Sequence, residues 1–168
     1  METFIEKTKV KKAKRITIKA KDVINKKKSE NKLNSMIEEL FNECDFLKIS
    51  NSVIRGFPVE YLINLKDLLG LTNDKLADLL GVSTRTITRS ISLPKEERLT
   101  ITLSDRVYRV FKIISIAIEV FNDKYEALIW LKTEQYGLYN ETPISLLKTE
   151  AGTREVENLL GRIEYGVY

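Results

Sequence analysis

Residues 83–89 read Ser-Thr-Arg-Thr-Ile-Thr-Arg, a run that combines four hydroxyl side chains with two arginines and has no acidic residue. Arginine pairs with guanine edges or phosphates, and short hydroxyl side chains let a helix lie close to DNA bases. This chemistry predicts that the run contacts DNA. The contacting side chains are expected to be Ser83, Thr84, Arg85, Thr88 and Arg89. The alternative is the solvated outer face of an ordinary helical hairpin.

A helix that reads DNA needs a second helix crossing it at a steep angle, and the residues just before position 83 fit that element. Ala77 is small where the two helices would approach, and Gly81 tolerates positive φ at the turn between them. Thr72 and Ser83 are predicted to cap the two helices. The inner contacts are predicted to come from Leu76, Leu80, Val82 and Ile87. The spacing therefore predicts a helix-turn-helix.

The elements on both sides of this motif are also predicted to be helical. Pro58 is placed at the first position of a helix that Gly70 ends. Ser104 is predicted to open the longest helix, which reaches Phe121 and is apolar on most of its circumference. Such a helix is buried from several sides, either by its own chain or by a partner.

Turn signals divide the remaining chain into shorter helices. Asn122-Asp123 and Thr142-Pro143 are each predicted to begin a helix. Ala151-Gly152 is predicted to close the second of these, and Thr153 to cap the last helix of the chain. Because glycine and proline are scarce, at 7 and 3 residues, the whole chain is predicted to be all-α.

Composition argues against the commonest kinds of catalytic site. Histidine, the usual general base and metal ligand, is absent, and the one cysteine, Cys44, lies in a helical pattern typical of a buried thiol. No phosphate-binding glycine motif is present. We therefore expect a non-enzymatic protein with no catalytic residue, metal or cofactor. A single cysteine forms no internal disulfide and no run of 18 apolar residues occurs, so the expected location is cytoplasmic, away from membranes.

Positive charge is concentrated at the N-terminus. Residues 1–32 carry 12 Lys or Arg against four Asp or Glu, whereas residues 33–168 carry 16 against 20. A basic arm binds a polyanion because each neutralised phosphate releases counterions. A solvated tail that only keeps the protein soluble has the same composition, and both interpretations stay open.

The C-terminal residues are candidates for contact with a protein partner. Gly166 is predicted to stop the last helix, next to apolar and aromatic groups suited to filling a pocket. The predicted contacts are Arg162, Ile163, Glu164, Tyr165, Gly166, Val167 and Tyr168. The alternative is a frayed chain end. For Trp130 and Leu131, core packing is favoured over partner contact.

Taken in order, six stretches of the sequence resemble the Xre/MbcA/ParS antitoxin family. They are residues 54–72, 76–90, 98–110, 127–131, 142–152 and 156–167. Their order over this length is far more specific than any single stretch, and the first 50 residues add nothing to the resemblance. The family often has glycine shortly before the Thr-Pro turn, where this chain has Asn140, a residue that tolerates left-handed geometry.

The resemblance implies an Xre-like helix-turn-helix bundle followed by a helical toxin-binding domain. The expected divisions are a basic arm at 1–28, a DNA-binding domain at 29–97 and a dimerisation and toxin-binding domain at 98–168. The implied partners are a RES-domain toxin that consumes NAD, whose cleft the antitoxin covers, and operator DNA that the complex represses. A homodimer or a hetero-oligomer with toxin is expected, since one helix-turn-helix reads only a half-site. Two alternatives are a toxin inhibitor or scaffold that does not bind DNA, and a stand-alone transcriptional regulator.

Overall fold

The structure, a computed structural model, describes residues 46–167 and confirms the all-α prediction for them. Eight α-helices and one short 3-10 helix occur there, with only two isolated bridge pairs and no strand. The helices are α1 (Phe46–Arg55), α2 (Val59–Leu69), α3 (Asn73–Leu79), α4 (Thr84–Ile91), α5 (Ile101–Phe121), α6 (Lys124–Lys132), the 3-10 helix (Tyr136–Leu138), α7 (Pro143–Leu146) and α8 (Glu150–Glu164). The basic arm, Cys44 and Tyr168 lie outside the described residues.

The long helix α5 forms the centre of the fold. It packs against α1, α2, α6 and α8. Its buried apolar side chains are Leu103, Val107, Val110, Phe111, Ile113, Ile114 and Ala117. These contacts explain why the sequence of α5 is apolar on most of its circumference: helices of the same chain cover it.

Most of the predicted helix ends are confirmed. The Thr72 hydroxyl accepts a hydrogen bond from the Lys75 N–H, and the Ser83 hydroxyl accepts one from the Thr86 N–H. Gly70 ends α2 in the left-handed conformation, with φ at 62°. Asp123 caps α6 through its side chain. The three N-terminal caps accept hydrogen bonds from N–H groups that the start of a helix leaves unpaired. Gly70 lets the chain turn out of the helix at its C-terminal end.

Two predicted helix starts before α6 are wrong. Pro58 is the N-cap of α2 rather than its first residue, so the helix begins at Val59. The helix α5 begins at Ile101, capped by Thr100, whose hydroxyl accepts from the Leu103 N–H at 3.3 Å. Ser104 instead lies fully buried, and its hydroxyl accepts a hydrogen bond from the Phe57 N–H at 2.9 Å. The serine hydroxyl therefore pairs with a buried backbone N–H group. In the sequence, a serine with this role looks the same as a serine that caps a helix.

The predicted start of α8 is also wrong, by four residues. Thr149 is the cap, since its hydroxyl accepts from the Gly152 N–H at 3.1 Å, and Thr153 lies buried in the first turn. Gly152 belongs to α8 instead of closing α7. A Cβ atom at Gly152 would lie 2.2 Å from the Leu146 carbonyl oxygen. The glycine therefore permits a close approach of two helix backbones, not a helix end.

Trp130 and Leu131 both contribute to packing on α6. Leu131 is fully buried, as predicted, while Trp130 is half-buried with its ring 5.6 Å from that of Phe121. Across residues 46–167, none of the helices combines the length and the hydropathy that a bilayer crossing requires.

Candidate functional site

The turn between α3 and α4 has the geometry that the sequence predicted for a helix-turn-helix. Ala77 is buried at the crossing of the two helices, and Gly81 adopts a φ of 59° at the turn. Three of the four predicted inner side chains, Leu76, Leu80 and Ile87, are buried, and Val82 is half-buried. The helix-turn-helix is therefore confirmed as a structural unit.

The side chain of Arg106, in α5, forms hydrogen bonds with the backbone of this turn. The Arg106 Nη1 atom donates to the Leu80 carbonyl oxygen at 2.8 Å and to the Gly81 carbonyl oxygen at 2.6 Å. The last carbonyls of a helix have no partner within that helix, so a guanidinium group satisfies two of them at once. The sequence pattern does not single out Arg106, although a charged side chain in the first half of a mostly apolar helix is a signal for such a contact.

Two lysines also join the helix-turn-helix region to the C-terminal half of the chain. The Lys148 Nζ atom, just after α7, forms an ion pair with Asp78 of α3. The Lys132 Nζ atom, at the end of α6, donates to the Leu69 carbonyl oxygen at 2.9 Å. The orientation of α3 and α4 is thus fixed by residues distant in sequence, which spacing patterns do not reveal.

All five predicted DNA-contacting side chains are exposed on or just before α4. Three of them also make contacts within the chain. Ser83 caps α4, the Thr84 hydroxyl donates to Asp74 Oδ1 at 2.8 Å, and Thr88 Oγ1 accepts from Asn73 Nδ2 at 3.4 Å. The hydroxyl groups of Thr84 and Thr88 therefore hold α4 against α3 as well as facing solvent.

Arg85 and Arg89 differ from the hydroxyl residues because their side chains make no hydrogen bond or ion pair with any other described residue. They are four positions apart on α4, so both guanidinium groups lie on one face of the helix. No Asp or Glu occurs in α4 itself. At the N-terminal end of the helix, the Thr84 hydroxyl donates to the Asp74 carboxylate. Two exposed cations on one helix face form a surface suited to an anionic partner.

The end of α8 is ordered by backbone hydrogen bonds up to Val167. The Val167 N–H donates to the Arg162 carbonyl at 2.9 Å, and the Gly166 N–H donates to the Ile163 carbonyl at 3.2 Å. Gly166 has a φ of 65°, so the pattern is a Schellman cap, and Gly166 stops the helix as predicted. This arrangement contradicts a frayed end for the described part of the tail.

The candidate partner-contact residues are not equally accessible. Tyr165 is 79% exposed and Val167 is 59% exposed, while Ile163 is half-buried. Arg162 and Glu164 are exposed. The structure therefore presents one aromatic and one aliphatic side chain beyond the last turn of α8, beside two opposite charges. Tyr168, the seventh candidate, lies beyond the described part of the chain.

The loop between α6 and α7 carries the two most exposed aromatic side chains among residues 47–167. Tyr136 is 93% exposed and Tyr139 is 96% exposed. Asn140 adopts the left-handed conformation expected of it, with φ at 63°, but Tyr139 also has a positive φ, 57°. A bulky residue is rarely left-handed, and the conformation costs about 1 kcal/mol or more. Tyr136 and Tyr139 are not among the predicted contact residues, because nothing in their spacing marks them as exposed.

No group of three or more His, Cys, Asp or Glu side chains suited to a metal ion occurs among residues 46–167. The charged groups of this region instead pair across helices. Arg109 of α5 contacts Glu150 of α8 at 3.3 Å, and Lys112 contacts Glu157 at 2.7 Å. These pairs join α5 to α8. The candidate functional sites are therefore the exposed surfaces described above, where the charged side chains form no such pairs.

Two family models match adjacent parts of the chain. Residues 50–112 match the antitoxin Xre-like helix-turn-helix domain, and residues 117–166 match the antitoxin Xre/MbcA/ParS C-terminal toxin-binding domain. The two matched regions meet within α5, so this helix belongs to the end of one and the start of the other. Arg85 and Arg89 lie in the first region, and the exposed tyrosines lie in the second.

Curated relatives carry the name Antitoxin Xre. The protein of Yersinia enterocolitica serotype O:8 is 31% identical over 119 residues, covering 70% of this chain and 79% of the relative. That of Photorhabdus laumondii subsp. laumondii is 32% identical over 113 residues, covering 67% and 75%. Among solved structures, a chain in the crystal structure of the M. tuberculosis MbcT-MbcA toxin-antitoxin complex is 19% identical, with a TM-score of 0.45, covering 66% of this chain and 96% of that one.

The matches to these two relatives cover at least three quarters of each relative's length. The helix-turn-helix seen in the structure is the element that the first family model describes. By its fold, its two matched regions and these relatives, the chain belongs to the Xre family of antitoxins.

Proposed function

We propose that the chain is a type II antitoxin that neutralises a RES-domain, NAD-consuming toxin and represses its own operon. The observation that carries this proposal is the placement of two exposed surfaces on one compact unit. Arg85 and Arg89 lie at one surface, and the capped end of α8 lies at the other. The chain itself performs no catalysis in this proposal: it blocks the toxin's cleft sterically and binds DNA, both in the cytoplasm.

On the DNA side, α4 enters the major groove and its arginines contact guanine or phosphate. The exposed hydroxyl groups of Ser83 and Thr84 at the N-terminal end of α4 allow a close approach to the bases. Arg106 acts as a positioning residue, since it fixes the turn that orients α4. A second copy of the chain, alone or within a toxin complex, supplies the other half of a two-fold operator contact.

Replacing Arg85 or Arg89 by alanine is expected to weaken operator binding roughly tenfold for each arginine, about 1.4 kcal/mol. An arginine that contacts phosphate also contributes to the salt dependence of binding, so its removal lowers the slope of log affinity against log salt by about one unit. A fluorescence-anisotropy titration of the promoter DNA at several salt concentrations measures both quantities.

Arg154→Ala is the matched control for this experiment. Arg154 is an exposed arginine on α8 that pairs with Glu150, so its loss removes the same charge away from α4. Its operator affinity should stay within about twofold of the unmodified chain. Equal affinities for all three variants would contradict DNA reading by α4.

A second candidate function is a toxin inhibitor or scaffold whose helix-turn-helix does not read DNA. The position of Asp74 favours it, because its carboxylate lies 2.8 Å from the Thr84 hydroxyl at the N-terminal end of α4. A negative charge at that place opposes phosphate binding. The titrations above distinguish the two functions, since the scaffold requires no affinity for the promoter in any variant.

On the toxin side, the exposed groups beyond α8 are expected to enter the toxin's active-site cleft. Removing residues 165–168 leaves all of α8 in place but deletes Tyr165 and Val167. When the shortened chain is co-expressed with a RES-domain toxin that the full chain neutralises, we expect growth arrest and a fall in cellular NAD. Unchanged helical content and promoter binding would show that the shortened chain is folded. Full protection by the shortened chain would contradict the role of the tail.

A further inference from the structure

We infer that the loop of residues 133–142, the tyrosine loop, is a second anchor for the toxin, in which Tyr136 and Tyr139 enter pockets on the toxin surface. The inference rests on the toxin binding proposed above and adds a contact that the C-terminal tail does not include. Large tyrosine side chains presented by a fixed backbone are characteristic of the few residues that dominate binding energy in protein interfaces.

Both tyrosine side chains lie almost entirely in solvent, although the backbone of the loop around them is held by hydrogen bonds. Tyr136 and Tyr139 are 93% and 96% exposed, while Leu138 between them is buried. Tyr139 is held in the left-handed conformation, which a bulky side chain rarely adopts. Backbone strain of this kind persists only where surrounding contacts impose it, and it concentrates at functional sites.

The contacts that impose this conformation are within the loop itself. The Gln135 N–H donates to the Glu141 carbonyl at 3.1 Å, and the Asn140 N–H donates to the Gln135 carbonyl at 3.0 Å. The Gln135 side-chain amide also donates to the Thr133 carbonyl at 3.0 Å. Hydrogen bonds therefore join the two ends of the loop and fix its backbone. As a result, little conformational entropy is lost when its tyrosines bind a partner.

The tyrosine loop also lies beside the end of α8. A Cβ atom at Gly137 would lie 3.0 Å from Leu159 Cδ1 and 3.8 Å from Arg162 Nη2. The tyrosine loop therefore packs directly on α8, one turn from the residues proposed to contact the toxin. Both segments also belong to the region matched by the toxin-binding family model. A toxin that covers the end of α8 would contact the tyrosine loop at the same time.

The charge of the loop is unfavourable for DNA as its partner. Residues 133–142 contain Glu134 and Glu141 and no Lys or Arg. A phosphate backbone would be repelled there, in contrast to α4, where the charged side chains are arginines. The surface fits a protein face with apolar pockets for the two rings, polar acceptors for the phenol hydroxyl groups and basic residues around them.

The inference is tested by titrating the full chain and its variants with a purified RES-domain toxin. Tyr136→Ala and Tyr139→Ala should each raise the dissociation constant at least tenfold. Tyr139→Gly should weaken binding to a similar extent, while its melting temperature stays equal to or above that of the unmodified chain, because glycine adopts positive φ without strain. If Tyr139 had a purely structural role, the affinity for the toxin and the melting temperature would fall together.

The matched control is Tyr125→Ala. Tyr125 is 71% exposed at the opposite end of α6 from the tyrosine loop, and its loss should change the dissociation constant less than twofold. Toxin binding by the unmodified chain, with no loss in the loop variants or an equal loss in Tyr125→Ala, would overturn the inference and leave the proposed function standing. No binding by the unmodified chain would overturn both.

Discussion

Gly152→Ala is expected to lower the free energy of unfolding by about 3 kcal/mol. The added Cβ atom would lie 2.2 Å from the Leu146 carbonyl oxygen and 2.9 Å from its carbonyl carbon. These are backbone atoms, so rotation of a side chain cannot relieve the overlap. The first turn of α8 and the end of α7 must move apart, which disturbs the packing of the buried Leu147 and Thr153 beside them.

The control for this substitution is Gly161→Ala on the same helix. A Cβ atom at Gly161 meets no other atom within 4 Å, and the residue is helical. The replacement should stabilise the protein by about 0.5–1 kcal/mol, because alanine has the higher helix propensity. The two variants therefore have opposite expected signs although the chemical change is identical.

Urea denaturation followed by tryptophan fluorescence and far-ultraviolet circular dichroism measures both effects. Trp130 is the only tryptophan of the chain, so its emission reports on α6 and its packing against Phe121, while the dichroism reports on all helices. The ion pair of Lys148 with Asp78 and the hydrogen bonds of Arg106 join the helix-turn-helix to the C-terminal half. Both signals should therefore change in one transition in every variant. Equal midpoints for Gly152→Ala and the unmodified chain would contradict the backbone overlap.

The sequence predicted the helix-turn-helix well because its signals are local. Capping by Thr72 and Ser83 depends on residues three positions away, and the small Ala77 and the turn at Gly81 follow fixed spacings. Such contacts recur wherever the same short pattern occurs, since they require nothing from the rest of the chain. The all-α fold followed for the same reason, from helical periodicity and scarce glycine and proline.

The helix starts at Ser104 and Thr153 were predicted wrongly because one residue type serves two purposes. A serine that caps a helix and a serine that accepts a hydrogen bond from a distant backbone, as Ser104 does from Phe57, look alike in sequence. Gly152 has the composition of a helix stop, but its function is close packing against Leu146. Only tertiary contacts decide between these purposes.

The candidate sites were predicted in part. Spacing and charge identified Arg85 and Arg89, and the structure leaves both exposed. Arg106 was missed because its partners are the carbonyl groups of Leu80 and Gly81, roughly 25 residues earlier in the chain. Tyr139 was missed because the turn signal at Asn140 predicts a left-handed residue at that position and not at the one before it.

Gly56→Ala is expected to have the largest effect on stability, a loss of about 4 kcal/mol in the free energy of unfolding. Gly56 lies between α1 and α2 with a φ of 82°, and an added Cβ atom would lie 2.2 Å from the Leu99 carbonyl oxygen. The variant therefore suffers both left-handed strain and a backbone overlap. The overlap also separates two paired segments, since the Leu99 N–H donates to the Phe57 carbonyl at 2.8 Å and Arg98 donates to the Gly56 carbonyl.

Gly70→Ala separates these two causes. Gly70 also has a positive φ, 62°, but a Cβ atom there meets nothing within 4 Å, so only the left-handed strain of about 1 kcal/mol is expected. The difference between the two variants in urea denaturation, about 3 kcal/mol, measures the overlap with Leu99. Equal losses would show that the segment around Leu99 moves aside freely. The segment around Leu99 connects α4 to α5. Equal losses would therefore also mean that the position of the arginines on α4 does not depend on the hydrogen bonds between this segment and residues 56–58.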